Sequence, residues 1–223
     1  MEKQRKRWNK RQGELRTLLE SGEDHLEAIQ LFLSQHAPLH SAEMDHTESW
    51  SFEDEILNDL VEETVRRIPA DCEHSIAWCI WHIARIEDVT MNMLIAGSAQ
   101  LLHVDKWQDR MGISAVDTGN LMDEENVAEL SATIDISSLR EYRLAVGRRT
   151  REIVMDLQPG VLRKKVDPIR LQRVVDEGAV VQSALGLIEY WGKRTVAGLL
   201  LMPPTRHNFV HLNEATGLKQ RRR

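Results

Sequence analysis

The sequence predicts an all-α protein, a single domain built on a bundle of four or more helices. Leucine, alanine, glutamate and arginine are plentiful, while glycine and proline are sparse, at 12 and 6 of 223 residues. Apolar residues recur at helical spacing, and a strict alternation of period two persists nowhere. We expect one domain over residues 1–223, with basic, frayed ends at about 1–8 and 218–223.

Two helical patterns precede residue 70. Apolar residues recur at helical spacing from about Trp8 to Gln35, and Gly22 is a candidate interruption of this helix. The second pattern begins at Ser51, a polar N-cap followed by acidic residues, and Pro69 ends it.

The third pattern, from about His74 to Ala96, is apolar over most of its circumference. This predicts a helix in the middle of the bundle. Residues 98–135 are polar and irregular, with a short helix expected after Asp123, and we interpret them as an insertion over one end of the core. Ser138 and Glu141 form a capping box, which predicts that the next helix begins there and runs to about 157.

Three further helices are predicted toward the C-terminus. Asp167 and Pro168 have the residue types of an N-cap and a first helical residue, so a short helix should run from there to about 178. An apolar helix is expected over about 181–201. Pro203-Pro204 should end it and begin the last helix, which is predicted to end at Gly217.

Composition and motifs argue against several functional classes. The formal net charge of −6 argues against nucleic acid as the main partner. No apolar stretch approaches 18 residues, so no membrane span is expected. Cys72 and Cys79 are the only cysteines, which predicts no disulfide framework and a cytoplasmic location. The motifs of serine hydrolases, P-loop NTPases, dinucleotide-binding folds and zincin proteases are missing, as are the paired Glu-x-x-His motifs of di-iron bundles.

Three histidines are the best candidates for a metal site. His207 and His211 lie four apart on the predicted last helix, about 6 Å apart along its axis, and can reach one ion at about 2.0–2.1 Å. Such a pair is also typical of an exposed polar face. His82 lies on the apolar stripe of the third helix, where a histidine is more often a hydrogen-bonded core residue, although a metal also requires a neutral imidazole. Three such ligands would leave a fourth position open, as in catalytic sites.

At these residues the sequence resembles the DinB superfamily, the DinB and YfiT-like group. The resemblance rests on the run Trp81-His82-Ile83-Ala84 and on His207-x3-His211, and it extends over about residues 20–217. It implies a four-helix bundle, here with extra short helices in insertions, that holds a divalent metal ion on His82, His207 and His211. The chain departs from the compact family pattern in its extended first helix and in residues 98–135 and 159–180.

The resemblance also implies an activity. Enzymes of this type are metal-dependent S-transferases or isomerases that use a low-molecular-weight thiol, such as mycothiol or bacillithiol, against an electrophile. Zinc is the ion we expect, and nickel and iron suit three histidines as well. A homodimer is a family-level expectation. The alternative is a non-enzymatic interaction or stress-response protein in which the histidines hold a structural metal.

Several neighbours of these histidines are candidates for orienting the ligands or lining a pocket, although each also suits a salt bridge or a packing role. They are Trp81, Arg85, Arg206 and Glu214, together with Glu87 and with Asp88, which can pair with Arg85. No general base or other catalytic residue is evident, which suits thiol activation better than peptide hydrolysis.

Other histidines are weaker candidates. His36 and His40 repeat the spacing of a ligand pair, but Pro38 distorts or ends a helix there and makes the geometry unreliable. With His46, they are candidates for a second site or an additional ligand. His74 should lie about 12 Å along the helix axis from His82, too far to share an ion.

Overall fold

The computed structural model describes residues 2–45 and 50–221. Within these ranges the secondary structure is helical, apart from one isolated bridge between Lys165 and Thr195, so the predicted all-α class is confirmed. The α-helices are α1 (Glu2–Ser21), α2 (His25–His36), α3 (Phe52–Leu57), α4 (Glu62–Arg66), α5 (Ile76–Asp88), α6 (Leu101–Val104), α7 (Trp107–Met111), α8 (Glu124–Thr133), α9 (Ile136–Met155), α10 (Pro168–Asp176), α11 (Gly186–Gly192), α12 (Val196–Leu200) and α13 (Asn208–Gln220). Two π-helical segments, Val89–Ala96 and Met202–His207, extend α5 and precede α13.

The first predicted helix is interrupted where the sequence suggested. Gly22 has a left-handed φ of 61°, a conformation that costs glycine little, and it separates α1 from α2. Asp24 then caps α2, its carboxylate accepting a hydrogen bond from the Glu27 N–H at 2.8 Å. The two helices pack against each other.

The pattern that begins at Ser51 forms two helices rather than one. Ser51 caps α3 as predicted, accepting from the Asp54 N–H at 3.0 Å. The chain leaves the helix at Asn58, and Asp59 takes a left-handed φ of 64°. Aspartate tolerates this region better than most residues do, so the chain turns here before α4, and a single helix to Ile68 was a wrong prediction.

Helix α5 lies in the middle of the molecule, as predicted. Every residue from Ile76 to Asp88 is buried, and the helix packs against α9 and α13. Ser75 caps it by accepting from the Trp78 N–H at 2.9 Å. The π segment carries the helix on to Ala96, and Gly97, with a φ of 74°, ends it.

The insertion over residues 98–135 holds three short helices, α6 to α8, and Asp123 caps α8 as expected. The predicted start of α9 at Ser138 is wrong by one turn. Asp135 is the N-cap, because its carboxylate accepts from the Ser138 N–H at 2.7 Å and leaves Ser138 inside the first turn.

Asp167 and Pro168 begin α10 as predicted, but the apolar segment 181–201 is divided between a 3₁₀ turn, α11 and α12. The break has a physical cause in backbone pairing. Val196 N–H donates to the Lys164 carbonyl and Val166 N–H to the Arg194 carbonyl, and this pairing keeps residues 194 and 195 out of a helix. Thr195 then caps α12.

Pro203-Pro204 marks a helix boundary as predicted, because α12 ends at Leu200, just before the prolines. Both prolines lie at the start of the π segment Met202–His207, where a missing N–H costs little, and this segment leads directly into α13. Helix α13 runs to Gln220 rather than ending at Gly217.

The hydrophobic core consists of two clusters along α5. One surrounds the first half of the helix and includes Tyr142, Phe209 and Leu212, and the other surrounds the π segment and includes Phe32 and Trp191. Between them α5 buries a set of polar side chains, His82, Arg85, Glu87 and Asp88. No helix of the described ranges is long and apolar enough to span a membrane.

Candidate metal centre

Three histidines from distant parts of the chain meet in the polar region between the clusters. His82 lies on α5, His207 ends the π segment and His211 is one turn further along on α13. One ring nitrogen of each lies within 4.8 Å of a ring nitrogen of both others. The Nε2 atoms of His82 and His207 are 3.2 Å apart. We call these residues the triad.

Hydrogen bonds on the far side of two rings fix which nitrogen faces the triad. His82 Nδ1 donates to the Thr118 carbonyl at 2.5 Å, and His211 Nδ1 donates to a Glu214 carboxylate oxygen at 2.7 Å. In a neutral imidazole the other nitrogen then carries a lone pair. Both Nε2 lone pairs therefore point into the triad. His207 Nδ1 is buried with no hydrogen-bond partner among the described residues, whereas its Nε2 lies 3.2 Å from the His82 Nε2 lone pair and can donate to it in the metal-free protein.

The triad fits the requirements of a divalent ion. With bonds of about 2.0–2.1 Å, two ligand atoms of a tetrahedral site lie about 3.3 Å apart. The 3.2 Å between the Nε2 atoms of His82 and His207 is this separation. Three imidazoles occupy three positions and leave the fourth free. These residues can hold a metal ion.

Burial keeps two of the triad imidazoles, those of His82 and His207, neutral. It lowers the pKa of His82 to about 3, with the neighbouring His211 adding to the effect. Burial, together with His82 and His211, also lowers the pKa of His207 well below its ordinary value. Because a protonated imidazole cannot bind a metal, these low pKa values favour the ligand form at neutral pH.

The family model described as the DinB superfamily matches residues 46–214. The chain belongs to the DinB superfamily. No curated protein matches it. The matched region contains all three triad residues, whereas α1, α2 and the end of α13 lie outside it.

In this DinB-superfamily protein, the stacked rings of His74, Trp78 and His82, which we call the ladder, support the triad from one side. The Trp78 ring lies parallel to that of His82 at 4.5 Å between centroids and to that of His74 at 3.6 Å. Glu214 joins the ladder to α13, because its two oxygens accept from His74 Nδ1 at 2.8 Å and His211 Nδ1 at 2.7 Å. His74 is therefore a support of the triad and not a ligand.

The ladder also sets the charge at Glu214. Partial burial alone would raise the pKa of this carboxyl, but the hydrogen bonds from His211 and His74 lower it to about 2. Glu214 is thus ionised at neutral pH and committed to two imidazole N–H groups. It has the orienting geometry that the sequence suggested for it.

Arg85 supports the other side of the triad through the loop that holds His82. Its guanidinium is fully buried, pairs with Asp88 at 3.2 Å and donates to the carbonyls of Val116 and Asp117. The next carbonyl, that of Thr118, accepts from His82. Arg85 therefore anchors the loop that orients His82.

Trp81 is buried in the core, and Arg206 lines a surface cavity of about 420 Å³ whose lining contains no triad residue. The buried Trp81 ring packs against Gly119 so closely that a Cβ there would come within 2.4 Å of it. Arg206 is exposed and donates to the Asn9 side chain. Their position next to a ligand in sequence does not place them next to the metal site.

Trp78, His74 and Thr118 are the neighbours of the triad that sequence reasoning did not assign to it. His74, Trp78 and His82 are each four residues apart, a spacing that predicts contact on one face of a helix. The role of Thr118 had no comparable signal, because its backbone carbonyl and not its side chain makes the contact.

The structure also brings His36 and His40 together, despite Pro38. Their ring centroids are 4.3 Å apart, and both rings face Glu87. Glu87 accordingly accepts from His36 and does not orient a triad ligand. His46 lies outside the described residues.

Proposed function

We propose that the triad holds a divalent ion, with zinc as the expected metal, and that the protein is a thiol S-transferase or isomerase acting with a low-molecular-weight thiol. The observation that carries the proposal is the convergence of His82, His207 and His211 with two lone pairs fixed inward. A divalent cation on three neutral imidazoles keeps its full charge, so it stabilises an anionic sulfur at the free position.

The chain's own cysteines favour an external thiol. Burial, with Glu214 nearby, raises the pKa of Cys79 well above its ordinary value, and desolvation also raises the pKa of Cys72. Neither is therefore a thiolate at neutral pH, and the thiolate is the nucleophilic form. A reactive sulfur at this site would have to come from a bound small molecule.

The protein's part in such a reaction is to orient and to shield. Glu214 and the Thr118 carbonyl hold two imidazoles in one tautomer, and Trp78 limits rotation of the His82 ring by stacking on it. Glu214 is already engaged by two N–H groups, which leaves it unsuited to act as a general base. The arrangement suits a reaction in which the thiol loses its proton on binding.

A cavity of about 470 Å³ offers space for a small substrate close to this loop. It is lined by residues on either side of the Thr118 carbonyl, including Asp117 and Asn120, and by apolar side chains such as Ile113 and Met122. We propose that the electrophile binds in this cavity, because its size suits a small molecule and it adjoins the Thr118 loop, although the cavity lining itself includes no triad residue.

Elemental analysis of protein purified without a histidine tag tests the metal site. We expect the ion of the triad to be lost from each of His82→Ala, His207→Ala and His211→Ala. His103→Ala is the matched control, because His103 is exposed on α6, and it should keep the ion. If all three triad variants retain as much metal as the control, the assignment of the ligands is wrong.

A cobalt-substituted sample tests the chemistry. Adding a small thiol should change the visible spectrum of the wild-type protein and leave that of His211→Ala unchanged. The wild-type protein should also accelerate reaction of the thiol with a chromogenic electrophile. An ion that is present but insensitive to thiol, and whose removal unfolds the protein, would instead favour the structural role.

A further inference from the structure

A second group of buried polar side chains lies beside the triad and contributes no ligand to it. His36, His40 and Glu87 each offer one ligand atom within 4.8 Å of the other two, and none has exposed surface. We propose that these three residues form a second site for a divalent ion of the zinc or iron class. This inference does not depend on the function proposed for the triad.

The distances at this second site are close to those of bound ligands. His36 Nε2 lies 2.8 Å from Glu87 Oε1, and His40 Nε2 lies 3.3 Å from Glu87 Oε2. Ligand atoms of a tetrahedral ion lie about 3.3 Å apart, so small shifts admit an ion between them. An ion bound at His36 Nε2 would displace the proton that Nε2 donates to Glu87, and the neutral imidazole would then carry its one proton on Nδ1.

His40 supplies the strongest sign of a missing partner. Both of its ring nitrogens are buried, Nδ1 has no hydrogen-bond partner among the described residues, and Nε2 has only the 3.3 Å contact with Glu87 Oε2, which is not aligned as a hydrogen bond. Buried polar atoms are normally paired, and leaving them unpaired costs free energy. An ion bound at Nε2 removes this cost.

Hydrogen bonds fix the orientation of the Glu87 carboxylate, as they do for carboxylates that bind metals. Its Oε2 accepts from Arg143 Nη1 at 2.7 Å and from Asn208 Nδ2 at 2.6 Å. Oε1 has only the His36 contact, so it is available to an ion. Hydrogen bonds to the second oxygen fix a ligating carboxylate in orientation.

The charges around the second site accommodate a cation. Arg143 pairs with Glu87 on one side and donates from Nε to Glu53 at 3.3 Å on the other. The Arg143 guanidinium thus contacts two carboxyl groups, of which Glu87 has a lowered pKa and is ionised, while burial raises the pKa of Glu53 to about 7. His36 and His40 are both neutral, because burial lowers the pKa of each, that of His40 to about 3. Neutral imidazoles with a carboxylate suit zinc and ferrous iron.

The neighbouring helix leaves room for the His40 ring. Gly147 on α9 has no side chain, and a Cβ at that position would lie 2.6 Å from His40 Nδ1 and 2.5 Å from Met44 Sδ. The His40 ring thus packs directly against the α9 backbone at Gly147.

A crystal of the unmutated protein grown with zinc tests the proposal without any substitution. Data at the zinc edge should show an anomalous peak about 2.0–2.2 Å from His36 Nε2, His40 Nε2 and a Glu87 oxygen. Water or empty density there, in a crystal whose triad is occupied, would overturn it. A peak here with none at the triad would instead contradict the function proposed above.

Zinc titration in solution supplies the second test. The variant His207→Ala/His211→Ala disables the triad and should still bind about one zinc ion per chain. Adding His40→Gln should abolish this binding, whereas adding His103→Gln should not. Equal binding by the two triple variants would refute the proposal. If the His40 variant does not fold, as judged by circular dichroism, the anomalous map decides.

Discussion

At the scale of single residues, the direction of each imidazole N–H determines what the triad can bind. Two of the three directions depend on acceptors outside the triad, the Thr118 carbonyl and the Glu214 carboxylate. Glu214 is the more consequential of the two, because it also holds His74 and through it the stacked Trp78.

Glu214→Gln is therefore expected to weaken zinc binding by about 10- to 100-fold, a typical effect of removing a group that orients a ligand. An amide has one acceptor oxygen where the carboxylate has two, and its NH₂ opposes an imidazole N–H. Competition with a chromogenic chelator measures the affinity. Glu189→Gln, at an exposed side chain, is the control and should bind as wild type does. An unchanged affinity in folded Glu214→Gln protein would show that this carboxylate does not orient the ligand.

The four-residue spacing and the apolar stripe are local signals that made the three triad histidines candidates, and the family resemblance, not either signal alone, grouped them into one site. The second site could not be assigned in the same way. Pro38 made the geometry of His36 and His40 unreliable, and nothing local connects Glu87 with residues about fifty positions earlier. Folding brings them together, since α2 and α5 both pack against α9.

At the scale of elements, the helical periodicity predicted the fold class but not every helix boundary. The breaks at Asp59 and before Thr195 were missed, because each depends on a backbone conformation or a pairing with a distant segment. The apolar pattern runs through both breaks without a change. The boundaries marked by Gly22 and Asp167 were confirmed, whereas the capping box at Ser138 and the glycine at Gly217 misplaced the ends of their helices.

Helix α1 lies outside the family match yet supports the helix that carries two ligands. The Trp8 ring stacks on Phe209 at 4.2 Å with an interplanar angle of 4°, and Phe209 lies between His207 and His211 in sequence. Gln12 donates to Thr205 at 2.9 Å, which ties α1 to the π segment. We infer that α1 braces the triad from behind.

Trp8→Ala should lower the free energy of unfolding by about 3–5 kcal/mol, the usual cost of truncating a buried aromatic side chain. Trp8 is 3% exposed, so little of this cost is relieved by solvent. Trp8→Phe is the matched control. It can keep a stacked ring and lose chiefly the hydrogen bond from Nε1 to the Gln35 carbonyl, about 1 kcal/mol. Urea unfolding measures both values, and equal losses would show that the stack contributes nothing.

At the scale of the whole molecule, the protein encloses an unusual number of neutral imidazoles between its two hydrophobic clusters. Burial is the largest cause of a lowered pKa at His36, His40, His82 and His207. Burial also raises the pKa of Glu53 to about 7, against the opposing effect of Arg143. In the metal-free protein these histidines are therefore neutral imidazoles, and the Glu53 carboxyl is partly protonated near neutral pH.

The stability of the metal-free protein should therefore fall as the pH is lowered below about 6.5. Unfolded histidines bind protons near pH 6.5, whereas folded His40 and His82 do so only near 3, so the unfolded state binds more protons in this window. Each such proton lowers the free energy of unfolding by about 1.4 kcal/mol per pH unit. Glu53 acts in the opposite direction, because its pKa is raised in the folded protein, and it offsets one of these protons between its ordinary pKa and about 7. Urea unfolding with chelator present, at pH 7.5, 6.0 and 5.0, measures the slope. His40→Gln should reduce this slope by the equivalent of one proton, whereas His103→Gln should leave it unchanged. A free energy of unfolding that does not change with pH would show that the buried imidazoles are already protonated or exposed.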